Sequence, residues 1–230
     1  MSKFKLLGSR KVDFKVGNVV KPVAIIYNPA SGKKTNLVPL IEARLNQEGV
    51  AFELMPTRQY LDTYNFAKDI DISKYSVLCC CGGDGSYHEV VNGMLNRPDK
   101  LKIPVAFIGN GSGNDLLRAL GVFNLDQALD YIVKGECIKI DSVRVLMDHE
   151  SEDTLPTGND RLNYCRHMMI NSAIAMPAKI ANTAIPLKSC CGTKSYEIAT
   201  VWEACKRNFR SDNYELFIDD KPVHQPESHL

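Results

Sequence analysis

Val77-Leu78-Cys79-Cys80-Cys81-Gly82-Gly83-Asp84-Gly85-Ser86-Tyr87-His88-Glu89-Val90-Val91-Asn92 is the stretch on which the fold is read. Its first five residues are an unbroken apolar run, as expected of a strand buried on both faces of a parallel sheet. Three glycines and one carboxylate follow, and then a helix-like pattern, so a strand runs into a tight turn and a helix leaves it. Glycines let backbone N–H groups approach a phosphate closely, and a helix N-terminus adds a favourable dipole. An anion site gains nothing from a negative charge of its own. Asp84 makes chemical sense there if it binds Mg²⁺ or takes a proton from an attacking hydroxyl. The combination points to phosphoryl transfer.

The surrounding sequence supplies more of the same architecture. Val23-Ala24-Ile25-Ile26-Tyr27 is a second continuous apolar run, ending at Asn28-Pro29. Asn36 is placed to cap a helix running to about Gly49, and strands and helices then alternate: strand 51–55, helix 60–70, strand 77–81, helix 86–96, strand 105–108. Ser86 with Glu89 reads as a capping box for the third helix. Helices over 115–120 and 126–134 are stopped by Gly121 and Gly135. Such alternation with short links predicts a parallel sheet covered on both faces.

After Gly135 the rhythm changes to period two over 137–146, the mark of a half-buried antiparallel strand. A polar stretch, 149–161, reads as an exposed hairpin loop, followed by a strand over 164–175, a helix over 195–209 and a strand over 214–218. The expected fold is an α/β N-terminal lobe followed by a partial, mainly antiparallel second lobe. The expected divisions are a basic segment 1–21, an α/β lobe 22–138 and a β-rich part 139–230.

Composition narrows the classes. The chain has 230 residues, 44% hydrophobic and 24% charged, ordinary values for a globular protein. A net charge of +1 gives no support to nucleic-acid binding by a basic face. Lys3, Lys5, Arg10, Lys11 and Lys15 surround only Leu6-Leu7, too short an apolar centre for a signal peptide, and no stretch reaches transmembrane length. That basic start is either a solvated tail or a contact with an anionic membrane. The 8 cysteines contain no C-x-x-C and make no zinc-type spacing with the 5 histidines. The expectation is a cytoplasmic protein with reduced thiols.

Three loops leave predicted strands at their C-terminal ends: Asn28-Pro29-Ala30-Ser31-Gly32-Lys33, the Gly82 to Ser86 turn, and Gly109-Asn110-Gly111-Ser112-Gly113-Asn114-Asp115. Ligands of open parallel sheets bind outside those ends, so one crevice could hold all three. Lys33 is either a phosphate cation or a solvated loop lysine, and His88 either faces the crevice or is a polar helix residue. A Walker A loop is excluded, because Tyr27 stands where its first glycine belongs. The glycines at 109, 111 and 113 have the wrong last spacing for a dinucleotide fingerprint.

These three loops resemble those of the diacylglycerol kinase and sphingosine kinase superfamily, whose N-terminal lobe is also similar to NAD kinases and phosphofructokinases. The family's N-P-x-S-G matches Asn28 to Gly32, its G-G-D-G-T matches Gly82 to Ser86 with Ser for Thr, and its G-S/T-G-N-D matches Gly111 to Asp115. The resemblance implies ATP and Mg²⁺ as cofactors. ATP would lie against Asn28, Pro29, Ser31, Gly32, Thr57, Gly82, Gly83, Gly85, Ser86, Gly111, Ser112 and Gly113. Asp84 would be the essential carboxylate, and His88, Asn114 and Asp115 are candidates on the acceptor side. The implied acceptor is a lipid hydroxyl, diacylglycerol or a sphingoid base, reached at a membrane surface.

The resemblance also implies a β-sandwich second domain opening with the Ile140-Asp141-Ser142-Val143 strand. A later family strand reads N-x-x-S-x-G-x-D-A, whereas here Asn171 to Lys179 lacks that glycine and aspartate and carries Pro177. Further family strands, with an acidic D-G-E segment, have no counterpart before Leu230. The alternatives are therefore an active lipid kinase, a catalytically impaired nucleotide- or lipid-binding homologue, and an NAD kinase-like enzyme. On this reading the 230 residues bind nucleotide weakly and turn over no lipid without the remaining strands.

Overall fold

The computed structural model describes residues 14–15, 21–29, 36–148, 152–169, 173, 175–206, 217–218 and 221–222. The chain divides into two units, Met1–Asn171 and Ser172–Leu230. In the first, β1 (Phe14–Lys15) precedes a parallel sheet of β2 (Val23–Tyr27), β3 (Phe52–Pro56), β4 (Val77–Gly82) and β5 (Val105–Gly109), in the spatial order β3-β2-β4-β5. Between and after these strands lie α1 (Val38–Gln47), α2 (Asp62–Asp69), α3 (Asp84–Leu95), α4 (Asp115–Leu120) and α5 (Leu125–Lys134). The apolar runs at 23 and 77 are the two central strands, as their lack of alternation predicts.

Successive strand residues point to opposite faces, which separates two cores. Ala24, Ile26, Leu78 and Cys80 pack with Ala67 of α2, Tyr87, Val90 and Met94 of α3, and Leu116 of α4. Val23, Ile25, Cys79, Cys81 and Ile108 pack with Ile41 and Leu45 of α1 and Ala128, Leu129 and Ile132 of α5. The three contiguous cysteines thus serve both cores as small hydrophobes. Burial pushes all three thiols upward in pKa, Cys81 to about 11.

Helix ends follow local chemistry. Asn36 Oδ1 accepts the Val38 N–H at 3.1 Å, and Asn124 Oδ1 accepts the Gln127 N–H at 2.9 Å. Gly121 and Gly135 close α4 and α5 in the left-handed region, at φ 78° and 62°. Buried Arg97 reaches the last-turn carbonyls of α2, its Nη1 donating to Lys68 O at 3.0 Å and Ile70 O at 2.8 Å. Its other nitrogens are paired with Asp99.

Several expectations are corrected. α3 starts at Asp84, two residues early, with Gly83 at its N-cap, so Ser86 lies inside the first turn and no Ser86–Glu89 capping box forms. Glu89 instead accepts from Thr63, and burial raises its pKa. The period-two run breaks into β6 (Glu136–Cys137), paired antiparallel with β1, and β7 (Val143–Leu146), paired antiparallel with β8 (Cys165–Met168). β6 and β7 take different partners, and 138–142 between them leaves regular pairing. The 149–161 connection is not wholly exposed: it contains 3₁₀ turns at Glu152–Thr154 and Gly158–Asn163, and Leu155 is buried.

In the second unit the strand expected through 175 gives way to α6 (Ala175–Cys191), followed by α7 (Ser195–Cys205). Ala175, Met176, Ala178, Lys179 and Ala181 are good helix formers, and Pro177 falls in the first turn, where a backbone N–H has no helical partner to lose. A short hairpin joins β9 (Phe217–Ile218) to β10 (Lys221–Pro222). Beyond the parallel sheet, the described strands form two-stranded antiparallel ribbons, and no sandwich is seen among the described residues. Asn171, Ser172, Phe209 and Tyr214 lie outside them. Among the described residues no helix is long and apolar enough to cross a membrane.

The close approach of α3 to α2 at Gly93 tests the packing. A Cβ on Gly93 of α3 would stand 2.3 Å from Tyr64 O and 2.7 Å from Ala67 Cβ of α2. Gly93→Ala is expected to destabilise the first unit by about 1–3 kcal/mol despite the better helix propensity of Ala. Chemical denaturation of the two proteins measures it, and an unchanged midpoint would mean that α2 and α3 are not packed this closely.

Candidate functional site

The parallel register sets the site. Tyr27 pairs with Cys81 and with Pro56, and Gly82 pairs with Gly109, so the loops after β2, β3, β4 and β5 leave the same edge of the sheet. Asn28 and Pro29 begin the first of these loops, whereas Ser31, Gly32 and Lys33 lie outside the described residues. Thr57 is drawn to the same edge by its N–H, which donates to Tyr27 O at 2.9 Å.

The loops after β4 and β5 touch backbone to backbone. Asn110 donates its N–H to Gly82 O at 2.7 Å. A Cβ on Gly83 would stand 3.1 Å from Gly111 Cα, and one on Gly111 would stand 2.6 Å from Gly83 Cα. Only glycine permits this approach. Asn114, in the left-handed region at φ 54°, folds its amide over the same loop: Gly111 N–H donates to its Oδ1 at 3.0 Å, and its Nδ2 donates to Gly111 O at 3.1 Å. The Asn114 side chain therefore shapes the loop from within. Ser112 is exposed on its outer side.

Asp84 opens α3 and crosses to α4, where its Oδ1 accepts the Leu116 N–H at 3.2 Å. A carboxylate at that helix start is favoured by the unpaired N–H groups there. A Cβ on Gly113 would stand 3.0 Å from Asp84 Oδ2 and 3.6 Å from Asp115 Oδ2. Two carboxylates thus border the gap that Gly113 leaves by having no side chain. Asp115 Oδ1 is also 3.5 Å from Arg118 Nη1. Among the described residues no group of three or more His, Cys, Asp or Glu could hold a metal. The pair instead fits a cation such as Mg²⁺, which binds one or two carboxylates together with phosphate and water.

Gly85 and Ser86 lie in the first turn of α3. A Cβ on Gly85 would meet nothing within 4 Å, so the fold itself does not require glycine there. His88, one turn on, keeps solvent access, and its imidazole pKa is lowered by partial desolvation first, then by Arg166 and His167. Asn92 links it to β8: the Asn92 Nδ2 lies 3.4 Å from His88 Nε2 and donates to His167 O at 3.0 Å.

Two contributors escape the sequence reading. Tyr87 is buried, with its hydroxyl 2.8 Å from Gly82 O and 3.0 Å from Ile108 O, the carbonyls where β4 and β5 end. Asn92, fully buried, also accepts the His167 N–H at 2.8 Å and so ties α3 to β8. Neither bond is visible in the local pattern, where Tyr87 and Asn92 read as ordinary helix residues. A cavity of about 1020 Å³ lies elsewhere, along β5 beside Phe107, Tyr131 and Ile138, and includes none of these glycine loops.

The lobe is thus a parallel α/β sheet whose glycine-rich loops after β4 and β5 meet beside Asp84 and Asp115. The diacylglycerol kinase catalytic domain matches residues 22–145, and the chain belongs to that family. It is 30% identical over 150 residues to sphingosine kinase 2 of Arabidopsis thaliana, covering 61% of this chain and 30% of that protein. It is 37% identical over 124 residues to a diacylglycerol kinase of Staphylococcus aureus, covering 53% of this chain and 39% of that protein. A crystal structure of a Bacillus anthracis diacylglycerol kinase aligns with a TM-score of 0.45 at 25% identity, over 55% of this chain and 47% of that one. The chain thus spans less than half the length of each of these relatives.

The contact between loops makes a direct prediction. Gly111→Ala should force the loops after β4 and β5 apart, costing about 1–3 kcal/mol of stability. Amide exchange should rise at residues 82–87 and 110–116 together. Faster exchange in only one of the two loops would show that they are not coupled.

Proposed function

We propose that the chain is the nucleotide-binding part of a lipid kinase, which transfers the terminal phosphoryl group of ATP to a lipid hydroxyl of the diacylglycerol or sphingoid-base type. The observation that carries this reading is the convergence of Asp84 and Asp115 on the gap at Gly113, beside the Gly83–Gly111 contact. Mg²⁺ bound there, with ATP oxygens completing its shell, would neutralise charge on the transferred phosphoryl group.

Within this reading the protein supplies position and charge more than covalent chemistry. The backbone at Gly82, Gly83, Gly85, Ser86, Gly111, Ser112 and Gly113 faces the phosphates, with Asn28, Pro29, Ser31, Gly32 and Thr57 completing the nucleotide side. The open surroundings of Gly85 support this, because its missing side chain leaves space outside the fold, not within it. Asp84 has one oxygen held by Leu116 and the other turned to the gap, so Oδ2 is the oxygen that serves the reaction. The acceptor hydroxyl attacks phosphorus, the bond to the ADP oxygen breaks, and the hydroxyl proton leaves to a base or to water. The lipid is met at a membrane surface, and nucleic acid has no part.

Asp84→Asn separates chemistry from folding. Asn can still accept the Leu116 N–H, so stability should change by no more than about 1 kcal/mol. Phosphoryl transfer to diacylglycerol or sphingosine in mixed micelles should fall by about 100-fold or more. A folded variant with undiminished turnover would remove Asp84 from the mechanism. ATP binding with no turnover of either lipid by the full-length protein would favour a nucleotide-binding homologue without kinase activity.

Gly85→Ala should stabilise α3, by up to about 1 kcal/mol, because Ala replaces Gly in a helical turn with nothing to clash. The same methyl should weaken ATP binding measured by calorimetry by about 10-fold or more if phosphate oxygens meet the backbone there. Unchanged affinity would place the phosphates elsewhere.

A further inference from the structure

Outside the glycine loops, the second unit holds a pair of adjacent thiols at the end of α6. Cys190 is exposed and Cys191 half-buried, and their Sγ atoms lie 3.2 Å apart. Cys190 Sγ also donates to Leu187 O at 3.3 Å, which turns it along the helix toward its neighbour. Gly192 follows at φ 54°, so the helix stops at the pair.

We infer that Cys190 and Cys191 form a vicinal-dithiol site for a trivalent arsenical, a soft centre that takes two sulfurs from one protein and needs no third protein ligand. The separation decides between the possible partners of the pair. A direct disulfide is disfavoured, because neighbouring Cα atoms are about 3.8 Å apart, below the usual range of bridged cysteines. A third atom bonded to both sulfurs at about 2.3 Å spans 3.2 Å with an angle near 90° at that atom, without moving either. Zinc wants four ligands, and no group of three or more His, Cys, Asp or Glu exists among the described residues. A monosubstituted arsenical needs only the two sulfurs.

The reaction balances without an oxidant. With phenylarsine oxide, two As–S bonds form, the arsenic–oxygen bond breaks, and that oxygen leaves as water carrying both thiol protons. Arsenic remains trivalent. The remaining described cysteines lack this arrangement: Cys79, Cys80 and Cys81 are buried in β4, Cys165 is buried in β8, and half-buried Cys137 and exposed Cys205 have no adjacent cysteine.

The experiment treats the reduced protein with one equivalent of phenylarsine oxide and follows it by intact-mass spectrometry during competition with a monothiol and then with a dithiol. The expected result is one adduct that survives excess monothiol and is removed by the dithiol. Cys190→Ser and Cys191→Ser should each lower retention by about 100-fold or more, the loss of the second arm of a chelate, while Cys205→Ser leaves it unchanged. Circular dichroism confirms that each variant is folded. An adduct kept equally by folded Cys190→Ser or Cys191→Ser, or lost in Cys205→Ser, would overturn the assignment. The readout involves neither ATP nor lipid, so it stands or falls apart from the proposed kinase activity.

Discussion

The backbone contact between Gly83 and Gly111 is the constraint on which the rest of the candidate site depends. β4 and β5 deliver these residues from adjacent strands, and Gly82 paired with Gly109 leaves the two turns side by side. With no Cβ on either residue, the turns close on each other, and α3 and α4 start within reach of one carboxylate. Asp84 then belongs to one helix by sequence and caps the next by hydrogen bond. Moving either strand by one residue would break both relations at once.

α3 carries this arrangement inward. Its first turn bears Asp84 and sets the Tyr87 hydroxyl against the Gly82 and Ile108 carbonyls near the ends of β4 and β5, and its third uses Asn92 to hold the backbone of β8. Gly93 presses the same helix onto α2. One helix therefore joins the glycine turns, the sheet end and the β7–β8 ribbon. The ribbon is thus tied to the α/β lobe by an amide side chain as well as by chain connectivity.

Much of the parallel sheet was legible because its signals are local. The unbroken apolar runs at 23–27 and 77–81 mark central strands, and Gly121 and Gly135 mark helix ends that the structure keeps. The start of α3 was misread because Ser86 and Glu89 satisfy a local rule, while the tertiary contact at Gly83 pulls the helix start forward. The run at 137–146 alternates correctly, yet alternation carries no information on partners, and two partners divide it. The α6 region was read from a family strand, against the helix propensity of its own residues. Asp84 was legible as an unusual residue in a glycine turn. Its meeting with Asp115 was not, since 30 residues and a whole strand separate the loops.

The three consecutive cysteines of β4 have a consequence for how this molecule reports on itself. Their sulfurs point alternately into the two cores, and a thiol reagent reaches them only when the sheet opens. Their labelling rate is then a clock for opening of the central strand, with Cys80 timing the α2–α3 side and Cys79 and Cys81 the α1–α5 side. Because the pK of each thiol is raised by burial, reaction in the closed state is suppressed twice, by access and by protonation. Cysteine labelling resolved by residue would therefore separate loosening of one helical layer from collapse of the whole sheet.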